Sequence, residues 1–357
     1  MKENTHTFGH VSRRKFLGTA ATAAAAFSFL PLSSSYTSAT SSSVVGVKPK
    51  SKFGGVQIGA NTYSFRNMEP GILIIHKACV ESGINSIDLG SAGVGYCESY
   101  LGAPAAPSRP QLPALPPGTV PAVAPIGGGG RRMPLTPEQQ AAQDKYTADL
   151  KAWRLSVPMT KYEELRKLFN DAGMDIHMAK FSPSRLSDEE IDYSFRAAKA
   201  LGAKGISEEI GEEAVKKLAP FAEKNGMYAI FHTHGQFGTP GFSYDPFLAV
   251  SPAVMLNFDV GHYYGSTGLH PNTIIDKYHD RIFSIHLKDK TGPKTTPPDT
   301  NQVMGQGETP IADILNLIKD KKWSIYCDIE LEYPIAQWST SVKELSTCVQ
   351  YARNILI

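Results

Sequence analysis

From residue 56 onward, short apolar runs alternate with stretches whose apolar residues recur every three or four positions. That rhythm predicts a strand followed by a helix, many times over. Predicted strands cover residues 56–63, 85–89, 174–181, 203–209, 227–234, 254–259, 281–287 and 324–331. Predicted helices cover 70–82, 138–153, 160–172, 188–201, 212–224, 271–278, 310–321 and 341–356. Thr160-Lys161-Tyr162-Glu163 reads as a capping box at the head of 160–172, and Gly173, Gly202 and Asn225-Gly226 follow the last turns of their helices. Eight strands and eight helical connections argue for an α/β chain folded as one (β/α)8 TIM barrel rather than an open doubly wound sheet. No Gly-rich dinucleotide turn follows the early strands.

The rhythm breaks twice. Residues 104–137 hold ten prolines and the run Gly127 to Gly130, a composition that cannot build a core. The insertion, about 103–140, is expected to leave from the mouth end of the second strand, which would suit a lid or a plain surface loop. Ahead of the barrel, Ser12-Arg13-Arg14-Lys15-Phe16-Leu17 is a twin-arginine pattern followed by an Ala-rich apolar stretch and Ser/Thr-rich sequence. Residues 1–40 are therefore expected to be a signal peptide and linker, with a barrel over 41–357 and a periplasmic or otherwise exported protein. The apolar run is shorter than the roughly 20 residues of a membrane span, so none is expected after signal removal.

A formal net charge of +2 over 357 residues, with both signs interspersed, gives no nucleic-acid signature. Cys79, Cys97, Cys327 and Cys348 lack C-x-x-C spacing and read as buried or free thiols, with a Cys79/Cys97 bridge as the alternative in an exported chain.

Four segments place a metal-type ligand at the end of an apolar strand: Gly205 to Glu209, Asn257 to His262, Ser284 to Asp289 and Asp328 to Tyr333. In a barrel these ends converge on one mouth, and carboxylates with an imidazole suit Mn²⁺, Mg²⁺, Co²⁺ or Zn²⁺. One acidic residue at a strand end is commonly a cap or an ion-pair partner. Four at matching ends are costly unless paired or ligated. His232 and His234 share a face, with a spacing that would also suit a second metal. His177 and Lys180 are an odd offset apart, so only one is expected to face inward, and Lys180 is nearer the mouth. Lys288 and Asp289 read as charges at the rim or a salt bridge, and Gly305-Gln306-Gly307-Glu308 as a turn able to carry Glu308 over the mouth.

Asp259-Val260-Gly261-His262, His286-Leu287-Lys288-Asp289 and Ile329-Glu330-Leu331-Glu332 resemble the xylose isomerase-like TIM barrels, the sugar phosphate isomerase/epimerase superfamily, from about residue 56 to the C-terminus. The resemblance implies one divalent metal held by a Glu on the fourth strand, Asp259, His286 and Glu330. Of Glu208 and Glu209 only one enters the mouth, and Glu209 is nearer the strand end. It implies sugar contacts from His234, with His262, Lys180, Glu332, Lys288 and His232 as further candidates. Its 3-epimerases use two ligand glutamates for proton transfer, here Glu209 and Glu330. The expected activity is isomerisation or epimerisation of a sugar by proton abstraction beside a carbonyl, with elimination from a keto-sugar or keto-glycoside as the alternative. The expected partners are a small-molecule sugar or glycoside and, for the chain itself, a second copy in a homo-oligomer. A metal-dependent endonuclease would need a basic groove, and a non-catalytic sugar-binding barrel would not need the carboxylates.

Overall fold

The computed structural model describes residues 48–107 and 134–357. The signal-peptide expectation and most of the Pro/Gly-rich run lie outside the described residues. Strand β1 (Lys52–Phe53) pairs antiparallel with β2 (Val56–Asn61). Seven further parallel strands follow: β3 (Ser86–Leu89), β4 (Asp175–Ala179), β5 (Gly205–Glu209), β6 (Tyr228–His232), β7 (Val254–Asp259), β8 (Ile282–Leu287) and β11 (Tyr326–Ile329). β2 pairs with both β3 and β11, which closes the barrel. A short antiparallel pair, β9 (Asp289–Lys290) and β10 (Asn301–Gln302), stands beyond β8. The chain is a single-domain (β/α)8 TIM barrel, as the strand count predicts.

Around the barrel lie α1 (Ile72–Ser82), α2 (Ser91–Tyr100), α3 (Pro137–Ser156), α4 (Met159–Asp171), α5 (Asp188–Leu201) and α6 (Glu212–Asn225). They continue with α7 (Asp245–Leu248), α8 (Val260–Thr267), α9 (Asn272–Tyr278), α10 (Ile311–Lys321) and α11 (Ser341–Leu356). Apart from α3, which has no fully buried residue, they turn apolar side chains onto Ile, Leu, Val and Phe of the strands. α5 and α6 end on Gly202 and Gly226 in the left-handed region, φ 92° and 61°, where the absence of a Cβ removes the strain.

Several local expectations change. The capping box is at Thr136 and Gln139, which open α3, whereas α4 begins at Met159. Pro158 presets the backbone and starts that helix early, so Thr160 falls inside the first turn rather than at the cap. The Gly-containing α2 intervenes between β3 and the insertion, so the insertion does not leave directly from the strand top. α8 forms because the Asp259 side chain caps it, accepting from the His262 amide at 2.8 Å. All four cysteines are buried and free.

Inside the barrel, the layer remote from the mouth is apolar, with Met178, Ile230 and Phe283 against Met255 and Tyr326. Above it the interior turns polar. Ser86 Oγ bonds His177 Nδ1 at 2.8 Å, and His177 Nε2 lies 3.0 Å from Asp328 Oδ2. A register shift between β3 and β4 breaks the two-residue period, so His177 and Lys180 both enter the interior despite their odd offset. Asp328 fits only because β2 carries Gly59 opposite it: a Cβ there would fall 2.0 Å from Asp328 Oδ1.

Candidate active site

Asp259, His286 and Glu330 come from β7, β8 and the end of β11, and their polar atoms converge. His286 Nδ1 is 3.8 Å from Asp259 Oδ2 and 3.1 Å from Glu330 Oε2. All three atoms are buried and lack a hydrogen-bond partner. Unsatisfied buried polar atoms are rare because each costs about 1–3 kcal/mol. Two of the three lie against the Lys288 ammonium, at 2.9 Å from Asp259 Oδ2 and 2.8 Å from Glu330 Oε2, so the cluster is built around positive charge and a divalent ion would share its oxygens with that lysine.

The supports around them fix their orientation. Asp88 Oδ2 is 2.9 Å from His286 Nε2 and accepts from Asn61 Nδ2 at 2.6 Å. Asp88 therefore fixes the Nε2 proton and turns Nδ1 into the cluster; burial alone would lower the His286 pKa, yet Glu330 and Asp88 raise it well above the ordinary imidazole value, so an ion at Nδ1 would displace a proton. On β6, His232 Nδ1 donates to Asn257 Oδ1, while Asn257 Nδ2 donates to Ser284 Oγ at 2.6 Å. That leaves His232 Nε2 as an acceptor, and burial holds His232 well below the ordinary imidazole pKa, assisted by the charge of His286. His232, Asp259 and His286 each offer a ligand atom within 4.8 Å of the others. Two imidazoles and two carboxylates fit a divalent transition ion.

Glu209, expected in this set, is elsewhere. It ion-pairs with Lys180, and its Oε2 lies 3.0 Å from His234 Nδ1. Burial raises its pKa, but His234, His232 and Lys180 outweigh that and hold it below the ordinary carboxylate value. Its place beside Asp259 and His286 is taken by His232, one strand further round. The neighbouring Glu208 accepts from the amides of Ser184 and Glu209, at 3.1 and 2.9 Å. Glu209, His232 and His234 form a second possible ligand group. Only one nitrogen of His232 is free, so one ion at a time can use it.

Lys288 is buried among the carboxylates rather than standing at the rim. Its Nζ is 2.9 Å from Asp259 Oδ2 and 2.8 Å from both Glu330 Oε2 and Glu332 Oε2. These are ion pairs angled away from hydrogen-bond geometry. Burial alone would lower the Lys288 pKa, yet Asp259, Glu330 and Glu332 raise it well above the ordinary lysine value. Conversely, burial disfavours ionised Glu330, and Lys288 with His286 overcomes it, holding the carboxyl well below its usual range. Burial and the charges of Lys288 and Lys290 push His262 down to about 3, so it is neutral, with Nε2 3.1 Å from Lys288 Nζ.

Two rim candidates have structural duties. Asp289 accepts from the amides of Gly305, Gly307 and Thr309 at 2.8, 2.9 and 3.1 Å, which shapes the loop after β10. Glu308 accepts from Gly292 N at 2.9 Å and Thr295 Oγ1 at 2.7 Å, so it staples the loop instead of covering the mouth. The site residue missed in the sequence is Asp88, whose signal was a lone carboxylate inside the apolar run Ser86-Ile87-Asp88-Leu89.

In the order of strands around the barrel, β5 and β11 stand opposite each other, with three strands between them on either side. The ionised carboxylates of Glu209 and Glu330 thus approach the mouth from opposite walls.

Comparison with known proteins agrees with this architecture. The family described as "Xylose isomerase-like TIM barrel" matches residues 207–348. No curated protein sequence matches the chain. Among solved structures, a xylose isomerase domain protein from Alicyclobacillus acidocaldarius subsp. acidocaldarius aligns with TM-score 0.54 and 12% identity, covering 84% of this chain and 98% of its own. The probable 3-DHS dehydratase AsbF of Bacillus anthracis gives 0.52 and 14%, covering 83% of this chain and 98% of its own. A sugar phosphate isomerase/epimerase from Parabacteroides distasonis gives 0.50 and 13%, covering 92% and 100%. At such identities the likeness is one of fold. Over its second half the chain is similar in sequence to xylose isomerase-like TIM barrels, and as a whole it shares their architecture.

Proposed function

We propose that this chain is a divalent-metal-dependent sugar isomerase or epimerase that moves a proton on a carbon beside a carbonyl. The observation carrying the reading is the convergence of buried ligand-type atoms, Asp259 Oδ2, His286 Nδ1 and Glu330 Oε2, none of them in a well-aligned hydrogen bond, with His232 beside them. These four residues would hold the ion. When bound, a divalent cation polarises a sugar carbonyl and its neighbouring hydroxyl and so acidifies the C–H between them. Glu330 and Glu209 are carboxylates on opposite walls: one, ionised, would take the proton from one face, and the other would deliver a proton to the opposite face only after gaining one from solvent, for Glu209 by way of His234. Lys180 and His234 orient Glu209. His262, neutral and partly accessible, and Glu332 are positioned to bond sugar hydroxyls.

Elimination is the second reading, favoured by one feature. His234 bonds Glu209 through Nδ1 and, like its partner, is partly exposed at the mouth, which leaves its other ring nitrogen open toward a departing oxygen. Export through the twin-arginine signal is part of the proposal, and it suits a free sugar or glycoside substrate. Incubation of metal-loaded protein with ketoses and keto-glycosides in D₂O tests the chemistry. The expected result is deuterium at the carbon beside the carbonyl, abolished by chelation and by Glu330→Gln. Exchange that survives both treatments would overturn the reading.

A further inference from the structure

The buried and half-buried lysines of this mouth are engaged by carboxylates of the protein. Lys180 pairs with Glu209, Lys288 with Asp259, Glu330 and Glu332, and Lys290 Nζ with Asp299 Oδ1 at 2.6 Å. The last pair is the most deliberate. Asp299 has a left-handed backbone, φ 49°, a conformation that strains a side-chain-bearing residue and persists where the surroundings enforce it. Its carboxylate also needs the space left by Gly265, where a Cβ would fall 2.0 Å from Asp299 Oδ1. Two unusual local features thus bring one carboxylate onto one buried ammonium. That ammonium lies 3.4 Å from His262 Nδ1, on the far side of the imidazole from Lys288.

We infer that Asp299 determines the charge class of the ligand: by neutralising Lys290 it fits the pocket to an uncharged polyhydroxylated molecule and turns it against phosphate esters. The inference rests on the sugar-processing reading above and narrows it. Asp88, Glu209, Asp259, Asp299, Glu330 and Glu332 outnumber the three lysines, and a divalent ion brings the balance only near zero. A phosphate dianion entering such a site meets buried carboxylates at low dielectric, where like charges repel strongly. Arg185 and Lys294, on loops of the same end, are exposed to water and attract anions only through a screened field. A neutral sugar meets no such barrier and finds acceptors and donors around His262, His234 and Glu332.

The test uses the manganese-loaded full chain and a panel of free ketoses and glycosides, each matched with its phosphate ester, with binding measured by calorimetry. Wild type is expected to favour the free sugar by about 10-fold or more, and Asp299→Asn, which releases Lys290, to cut that preference about 10-fold by gaining affinity for the ester. Wild type binding the esters as tightly as the free sugars would overturn the inference and leave the enzymatic reading standing. Failure to bind or exchange protons with any member of either class would remove that reading, and the inference with it. The wild-type comparison stands even if Asp299→Asn folds poorly. A well-folded Asp299→Asn with unchanged preference would remove Asp299 from the role.

Discussion

The Lys288 ammonium and a divalent ion draw on the same oxygens, Asp259 Oδ2 and Glu330 Oε2. Without an ion the lysine, with His286 beside it, compensates the cage. Lys288→Met would strand those carboxylates, and breaking a buried ion pair costs about 3–5 kcal/mol, or on the order of 5–15 °C in Tm for a domain of this size. The chelated variant should melt lower by that margin, manganese should restore most of the loss, and calorimetry should show tighter manganese binding than in wild type. Equal melting of variant and wild type in chelator would show that the lysine does not bear this load. A second residue-scale test is Gly59→Ala. The added methyl would meet Asp328 Oδ1 and lie 3.0 Å from the Ser86 carbonyl oxygen, so urea denaturation should report a loss of about 1–3 kcal/mol. An unchanged midpoint would mean that the polar layer shifts freely.

Among the elements, α3 has no fully buried residue among its twenty, and of its apolar side chains Trp153 alone packs, half-buried, on the core. Its anchor is Arg154, whose Nε and Nη2 donate to Glu98 at 2.9 and 3.1 Å, with Glu190 at 3.4 Å. The set Arg154→Met, Glu98→Gln and Glu190→Gln removes the anchor without stranding a charge. Limited proteolysis should then cut within 137–156 much faster than in wild type while the barrel core resists; unchanged cleavage would refute the anchor. The elements also show what the sequence could disclose. Strands announced themselves because each is a short apolar run, and helices with wide apolar stripes, such as α5 and α10, did the same. α2 and α8 did not: one is rich in glycine, and the other owes its start to Asp259, whose capping role is invisible until β7 places it. In the site, Asp259, His286 and Glu330 were legible from their positions at strand ends. That His232 lies nearer to Asp259 and His286 than Glu209 does was not, because which strand end leans into the cluster depends on stagger around the barrel. The inward turn of His177 depends on a bulge, which leaves no periodic signature.

For the whole molecule, the barrel puts every strand end at one mouth, and a signal ahead of it would deliver the folded, metal-loaded chain across a membrane. Among the described residues no helix is long and apolar enough to cross one. Replacing Arg13 and Arg14 together by Lys should retain the protein in the cytoplasm with its melting behaviour unchanged, as read by cell fractionation; normal export of that variant would sink the assignment. The central claim concerns the ion itself, and its most direct test is calorimetric titration of chelator-treated protein with Mn²⁺. One ion per chain is predicted, with binding abolished in His286→Ala, lost or much weakened in His232→Ala, and kept within about ten-fold in Glu209→Gln, since losing a ligand removes affinity and geometry together whereas Glu209 lies outside the set. Absence of binding by the wild type, or binding that survives His286→Ala but fails in Glu209→Gln, would contradict the account.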